Sequence, residues 1–221
     1  MSSIFPGAAL GVALGFLIGI SVHHFVHARV ATAMGDRTPR LMGRLSLSIR
    51  PHVDPLGTVI MPIVWVIAVF FGGFFPMFGW GKAQSLNPTT RRSRRDTILI
   101  ALAGPAGNLV VAFLAAVAWR FIDGRVLREI LGGVVVVGVF MTVWEILPLP
   151  GRDGGRILAE FLSPSAKLKM QDLAQYEVLF LVGVFLILQV VIFGIANPMC
   201  NLLTDRPCGL TLFQPRFTFG I

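Results

Sequence analysis

The stretch SVHHFVHAR, Ser21 to Arg29, closes a long apolar run and carries three of the chain's four histidines: His23, His24 and His27. No acid stands among them. Upstream, Ile4 to Val22 holds no charged residue. A helix needs roughly 20 apolar residues to cross the hydrocarbon core of a bilayer, so this run is predicted to span a membrane. It lacks a basic leading region, and its apolar core is longer than that of a signal peptide. It is therefore expected to be retained. Three imidazoles then sit inside, or at the end of, a membrane helix, where ionisable groups are costly and serve function by default.

Outward from this stretch the same pattern recurs. Further apolar blocks run from Leu56 to Gly81, Thr97 to Trp119, Ile130 to Trp144 and Val178 to Met199. The fourth reaches crossing length only if it continues through Glu145 to Leu149. The 221 residues are 55% hydrophobic and 14% charged, where soluble domains carry about 25% charged residues. The expectation is one membrane-embedded domain over residues 1–221, an all-α integral membrane protein of five or six transmembrane helices. A small β element is expected after the first helix, because Leu45, Leu47 and Ile49 alternate with Ser46, Ser48 and Arg50. Such a strand would offer an edge to an extended peptide.

The net charge of +8 lies in the connections. Arg37, Arg40, Arg44 and Arg50 follow the first block, and Lys82, Arg91, Arg92, Arg94 and Arg95 precede the third. These read as basic loops at the cytoplasmic face of a bilayer, with no nucleic acid as partner. If the second block crossed once, the two loops would lie on opposite faces. Either that block re-enters or one loop is held at a protein surface. Cys200 and Cys208 bracket NLLTDRP and read either as a small disulfide loop or as two thiols.

His23 and His27 are four apart, which puts both rings on one helix face, where they can share a metal ion such as zinc. The alternative is a pair of core histidines bonded to backbone carbonyls. A third ligand is required, and the best candidate is Asp153 in LPLPGRDGGRIL, Leu147 to Leu158. There Pro148 and Pro150 stop the fourth block, and Gly154 and Gly155 allow close backbone approach. Asp153 also reads as the cap of the helix that follows. In ALAGPAGNL, Ala101 to Leu109, small residues suit helix packing and Pro105 opens the helix. Asn108 is a polar group that packing explains less well.

Taken with GDRTPRLMGRLSLS, HVDPLGT, FGWGKAQSLNP and RRDTILIALAGPAGN, these pieces resemble the site-2 protease family of intramembrane zinc metallopeptidases, the compact bacterial type above all. The resemblance covers His23 to Leu158 and implies localisation in the bacterial inner membrane. In that family an HExxH motif and a distant aspartate hold zinc, and the HExxH glutamate activates the attacking water as general base. Carried onto this chain, the metal ligands are His23, His27 and Asp153. Asn108 matches the asparagine of the family's glycine–proline helix, and His52 and Asp54 match its HxDPxG segment.

Two positions depart from the pattern. His24 stands where the family has its general-base glutamate, and Glu145 stands where asparagine is usual. The first reading is a catalytically degenerate homologue, a pseudoprotease that binds a transmembrane partner or serves in a membrane complex. The second is an active zinc protease of transmembrane substrates, with Glu145 as substitute base. A third class makes the histidines axial ligands of a haem or chlorophyll-type pigment. His24 and Glu145 are expected to pair across the helix interface, because a buried acid needs a partner.

Overall fold

The computed structural model describes residues 6–70, 79–82, 90, 93–176 and 194–204. Three long helices carry the fold: α1 (Pro6–Ala33), and, beyond the short helices α2 (Thr38–Leu41) and α3 (Met61–Phe70), α4 (Arg94–Phe121) and α5 (Arg125–Ile146). All three are long and apolar enough to cross a membrane. At 1.5 Å per residue, the 28 residues of α4 span about 42 Å, against roughly 30 Å of hydrocarbon. α1, α4 and α5 each pack on the other two. Two short helices follow, α6 (Asp153–Ala159) and α7 (Pro164–Ala174).

Glycine sets how closely α1 and α5 approach. Gly7, Gly11, Gly15 and Gly19 recur at every fourth position, and the backbone of Ile130 lies where a Cβ on Gly11 would sit. From the other side, a Cβ on Gly133 would stand 2.7 Å from the carbonyl carbon of Gly11. Backbone therefore meets backbone, the arrangement that small residues allow where lipid supplies no hydrophobic drive between helices. Leu10, Leu14, Phe113 and Leu114 point outward and are exposed, as expected of a lipid-facing surface.

The contacts also fix helix directions. Gly7 meets Glu129 and Gly19 meets Met141, so α1 and α5 run parallel. His27 reaches Ile100 and Gly19 approaches Asn108, so α4 is antiparallel to α1. The end of α1, the start of α4 and the end of α5 thus share one end of the bundle.

The second apolar block is not one long helix. A π-helical turn over Pro55–Ile60 leads into the ten-residue α3. The chain is then back beside its starting point: Trp80 N–H donates to Gly57 O at 3.3 Å, Lys82 N–H to His52 O at 2.8 Å, and Thr58 Oγ1 to Trp80 O at 2.8 Å. Residues 80–82 therefore lie beside residues 52–58, so the two described ends of the block are together.

The expected β element is absent. Arg44 to Arg50 forms a series of bends, and the described residues contain no strand. Serine explains the difference: Ser46 Oγ accepts from Ser48 N at 3.1 Å and Ser48 Oγ accepts from Arg50 N at 3.5 Å. These local turns satisfy the backbone that a strand would leave for a partner. Among the described residues three long helices stand where five or six were expected. Most of the fifth block, and residues 71–78 of the second, lie outside those residues. Cys200, in the helix over residues 194–204, is buried and is not a free thiol. Cys208 lies outside the described residues.

Candidate metal centre

His23, His27 and Asp153 come together although 126 residues separate the last two. All three are buried. His27 Nε2 lies 3.1 Å from His23 Nε2 and 2.9 Å from Asp153 Oδ2, and His23 Nε2 lies 3.3 Å from the same oxygen. The three atoms make a nearly equilateral triangle. Linear hydrogen bonds cannot satisfy three atoms in a triangle, but one cation at the apex can. Tetrahedral zinc with bonds of about 2.0–2.1 Å spaces its ligands by roughly 3.3 Å, close to all three edges. The donor set fits zinc, and it is the only group of three or more such ligands among the described residues.

Helix α4 shapes the other side. Pro105 has no N–H to donate, so the helix is open at this level. Thr142 Oγ1 on α5 ties the two helices together here, its one proton shared between Gly138 O at 2.8 Å and the Pro105 carbonyl at 3.2 Å. Gly104, one residue earlier, lets both imidazoles lie against the helix, because a Cβ there would overlap His27 Nε2 and stand 2.5 Å from His23 Cε1. His27 Nδ1–H donates to the Ile100 carbonyl at 2.6 Å. That bond leaves Nε2 with its lone pair turned to Asp153 and His23, the usual support for a metal-binding imidazole.

Asn108 does the same for His23. Its amide nitrogen lies 3.3 Å from His23 Nδ1, and its Oδ1 is buried without a partner. Exchanging the two ends of the carboxamide gives that oxygen the Nδ1 proton and frees His23 Nε2 for metal. Asn108→Ala is therefore expected to weaken zinc binding by about 10–100-fold, the usual effect of losing such a support, measured by competition with a zinc chelator.

Asp153 is the first residue of α6, and Arg152, which makes no side-chain cap bond, holds the cap position. Asp153 is thus a site residue at a helix start, where the dipole favours an acid. Burial works against its ionisation. With protons on both Nε2 atoms in place of a metal ion, attraction to His27 and hydrogen bonds from His23 and His27 outweigh burial and hold its carboxyl well below the usual carboxylate range. Arg156 adds a contact at 3.5 Å.

The expected pairing of His24 with Glu145 is replaced by another. Arg152 NH1 donates to Glu145 Oε1 at 2.7 Å, and its guanidinium also lies over the Trp144 ring. Arg152 is buried and precedes Asp153 in the chain, so it reaches Glu145 from the same end of the bundle. Sequence reading passed over Arg152; the adjacency RD in PGRDGG was its only signal. Glu145→Gln is expected to cost about 2 kcal/mol, below the range for fully buried pairs because the carboxylate keeps 17% exposure. It should leave zinc content unchanged. Chemical unfolding and metal analysis of the same preparation check both halves.

His24 instead contacts His23 edge to face and His52 with near-parallel rings. His52 is fully buried, and its Nε2–H donates to Ser46 O at 2.8 Å. Burial holds His52 below the ordinary imidazole range; the bond to Ser46 raises it and Arg44 lowers it further. Asp54 has a structural task, capping the π-helical turn through Leu56 and Gly57 N–H at 3.1 and 2.7 Å.

No family model matches the chain, and no solved structure matches it. Curated proteins do. The chain is 27% identical over 214 residues to "Putative zinc metalloprotease YwhC" of Bacillus subtilis, covering 90% of each chain. It is 28% identical over 185 residues to "Putative zinc metalloprotease Rip2" of Mycobacterium tuberculosis, covering 82% of this chain and 69% of that one. To the protein of the same name from Mycolicibacterium smegmatis it is 29% identical over 182 residues, covering 80% and 67%. Similarity over nine tenths of a chain to a protein so named, together with a donor set that fits zinc, supports a zinc metalloprotease family for this membrane-type chain.

Proposed function

We propose that this chain is a site-2-protease-like intramembrane zinc protein whose proteolytic chemistry has degenerated, and that it acts by binding a transmembrane segment or as a subunit of a membrane complex. The observation that carries the metal half is the triangle of His23, His27 and Asp153. Zinc, when bound, supplies Lewis acidity of the kind that peptide hydrolysis uses. What the protein must add is a base. Position 24 offers an imidazole, tied by ring contacts to His23 and His52, in place of the family's carboxylate. Glu145, the candidate substitute, is engaged by Arg152 at 2.7 Å. A general base contributes about 10²–10⁴-fold to such a reaction, and the unmodified chain is expected to lack that factor.

An orientation is part of this proposal. The basic residues after α1 and those before α4 flank the same end, which by the positive-inside rule faces the cytoplasm. For a bacterial chain the membrane is then the inner one, with the metal centre nearer its cytoplasmic side.

The test is cleavage of a model transmembrane substrate by the zinc-loaded chain in lipid. The unmodified chain should be inert, and His24→Glu combined with Glu145→Asn should gain zinc-dependent cleavage. Robust cleavage by the unmodified chain, abolished by Glu145→Gln, would instead make it an active protease with Glu145 as base.

A further inference from the structure

Four arginines stand between α1 and the π-helical turn, and the fold treats one of them differently. Arg37, Arg40 and Arg50 are exposed, whereas Arg44 keeps 2% of its surface. The turn after α2 places it. Gly43 N–H donates to Arg40 O at 3.1 Å, Gly43 takes a left-handed φ of +67°, and Arg44 N–H donates to Pro39 O at 2.8 Å. That φ favours glycine, so the sequence supplies the one residue that turns the chain into Arg44 without strain.

A guanidinium is always charged and carries five N–H donors. Arg44 has one acceptor, Lys82 O at 3.2 Å from NH1. No carboxylate pairs with it among the described residues: burial alone acts on its pKa, lowering it, with no acid to raise it. The two acids of the segment are turned elsewhere. Asp36 Oδ1 accepts from Thr38 N–H at 2.9 Å, and Asp54 Oδ1 accepts from Leu56 and Gly57. The other neighbour, His52, shares Lys82 with Arg44 through Lys82 N–H and His52 O at 2.8 Å, and it carries no negative charge. A buried cation without a counter-charge is costly.

We propose that Arg44 and the loop around it form a binding site for one anionic phospholipid, with the guanidinium holding the phosphodiester. The counter-charge then comes from outside the chain. The setting selects a lipid. Leu41 is 85% exposed and Leu47 60%, on the same loop as three exposed arginines. Apolar side chains that enter acyl chains, beside cations that meet headgroups, mark a segment lying at a bilayer interface. A phosphodiester offers two free oxygens to the arginine fork. Arg37, Arg40 and Arg50 favour a headgroup of net negative charge over a zwitterionic one. The site is separate from the His23–His27–Asp153 centre and independent of the proteolytic reading.

The test uses the full chain, stripped of lipid in an uncharged detergent. It is titrated with short-chain phosphatidylglycerol, with phosphatidylcholine and with inorganic phosphate, and read by native mass spectrometry and thermal unfolding. The expected result is one phosphatidylglycerol held about tenfold more tightly than phosphatidylcholine and not displaced by millimolar phosphate. Arg44→Gln should weaken that lipid by about tenfold or more, the loss of charged hydrogen bonds, and Arg44→Lys by less. Lys169→Gln, which removes an exposed charge on α7, should stay within about twofold. The lipid-free Arg44→Gln chain should unfold at a higher temperature than the lipid-free unmodified chain, because it lacks the uncompensated charge, and phosphatidylglycerol should raise the unfolding temperature of the unmodified chain alone. Full lipid binding by Arg44→Gln would overturn the proposal, as would equal binding of both lipids. A lipid-free Arg44→Gln chain that is less stable and binds lipid normally would make Arg44 a structural tie to Lys82. Displacement by inorganic phosphate would give the site to a free anion. Displacement by a leucine-rich peptide bearing one glutamate, but not by its glutamine form, would give it to a polypeptide carboxylate. Either displacement overturns the lipid.

Discussion

Asp153→Ala is expected to reduce zinc binding at the His23–His27–Asp153 centre by about 100–1000-fold. Zinc bound by a full ligand set is worth roughly 10–16 kcal/mol in small domains, or about 3 kcal/mol per protein ligand, and each 1.4 kcal/mol is tenfold. Among the described residues no other group joins the two histidines in a ligand set. Glu145, the other acid expected near the histidine helix, is held by Arg152. His27→Ala should match Asp153→Ala, because His27 Nε2 is the atom closest to both other ligands, at 2.9 and 3.1 Å. Metal analysis after equilibration with buffered zinc reads the effect. Asp153→Ala at unchanged zinc content would remove Asp153 from the ligand set.

Gly104→Ala is expected to do nearly as much damage with one methyl group that coordinates nothing. Its Cβ would overlap His27 Nε2 and press on His23, two rings fixed from behind by Ile100 O and Asn108. Neither ring retreats without breaking its own bond, so zinc affinity should fall about 100-fold, the upper end for lost supports. Overpacking should also lower stability by about 1–3 kcal/mol. Gly107→Ala on the same helix is the control. Its Cβ would meet only Val22 and Val26 side chains at 3.2 Å, which yield by small shifts, and zinc binding should stay within a few-fold. Equal losses from both variants would mean that helix α4 as a whole, rather than room for the rings, controls the site.

What the sequence made legible and what it hid divide along local and non-local lines. The i,i+4 spacing of His23 and His27 declares a shared face, and the uncharged runs at Ile4 to Val22 and Thr97 to Trp119 declare long apolar helices. Asp153 could be proposed because Pro148, Pro150 and two glycines mark a break at the right place. The alternation at Leu45 to Arg50 misled because the serines between the apolar residues bond their own backbone, and a strand also needs a partner that pattern alone does not supply. The partner of Glu145 was missed for a related reason. Charge balance said that the acid needed a cation, and His24 was chosen from the opposite helix, whereas Arg152 reaches it from seven residues further along the chain. The meeting of the two described ends of the second block rests on hydrogen bonds between residues 52–58 and 80–82, which no periodicity announces. The glycines at every fourth position of α1 were visible in the sequence and, read as a packing stripe, point to the tight crossing with α5.

The central claim is that two histidines of α1 and the first residue of α6 hold one zinc ion. The zinc absorption edge of the unmodified chain, purified and loaded with one equivalent, tests it most directly. The account predicts two imidazole nitrogens at about 2.0–2.1 Å with oxygen completing the shell and no sulfur, and loss of one imidazole from that shell in His27→Ala. A shell of sulfur near 2.3 Å, or of oxygens without imidazole, would contradict it.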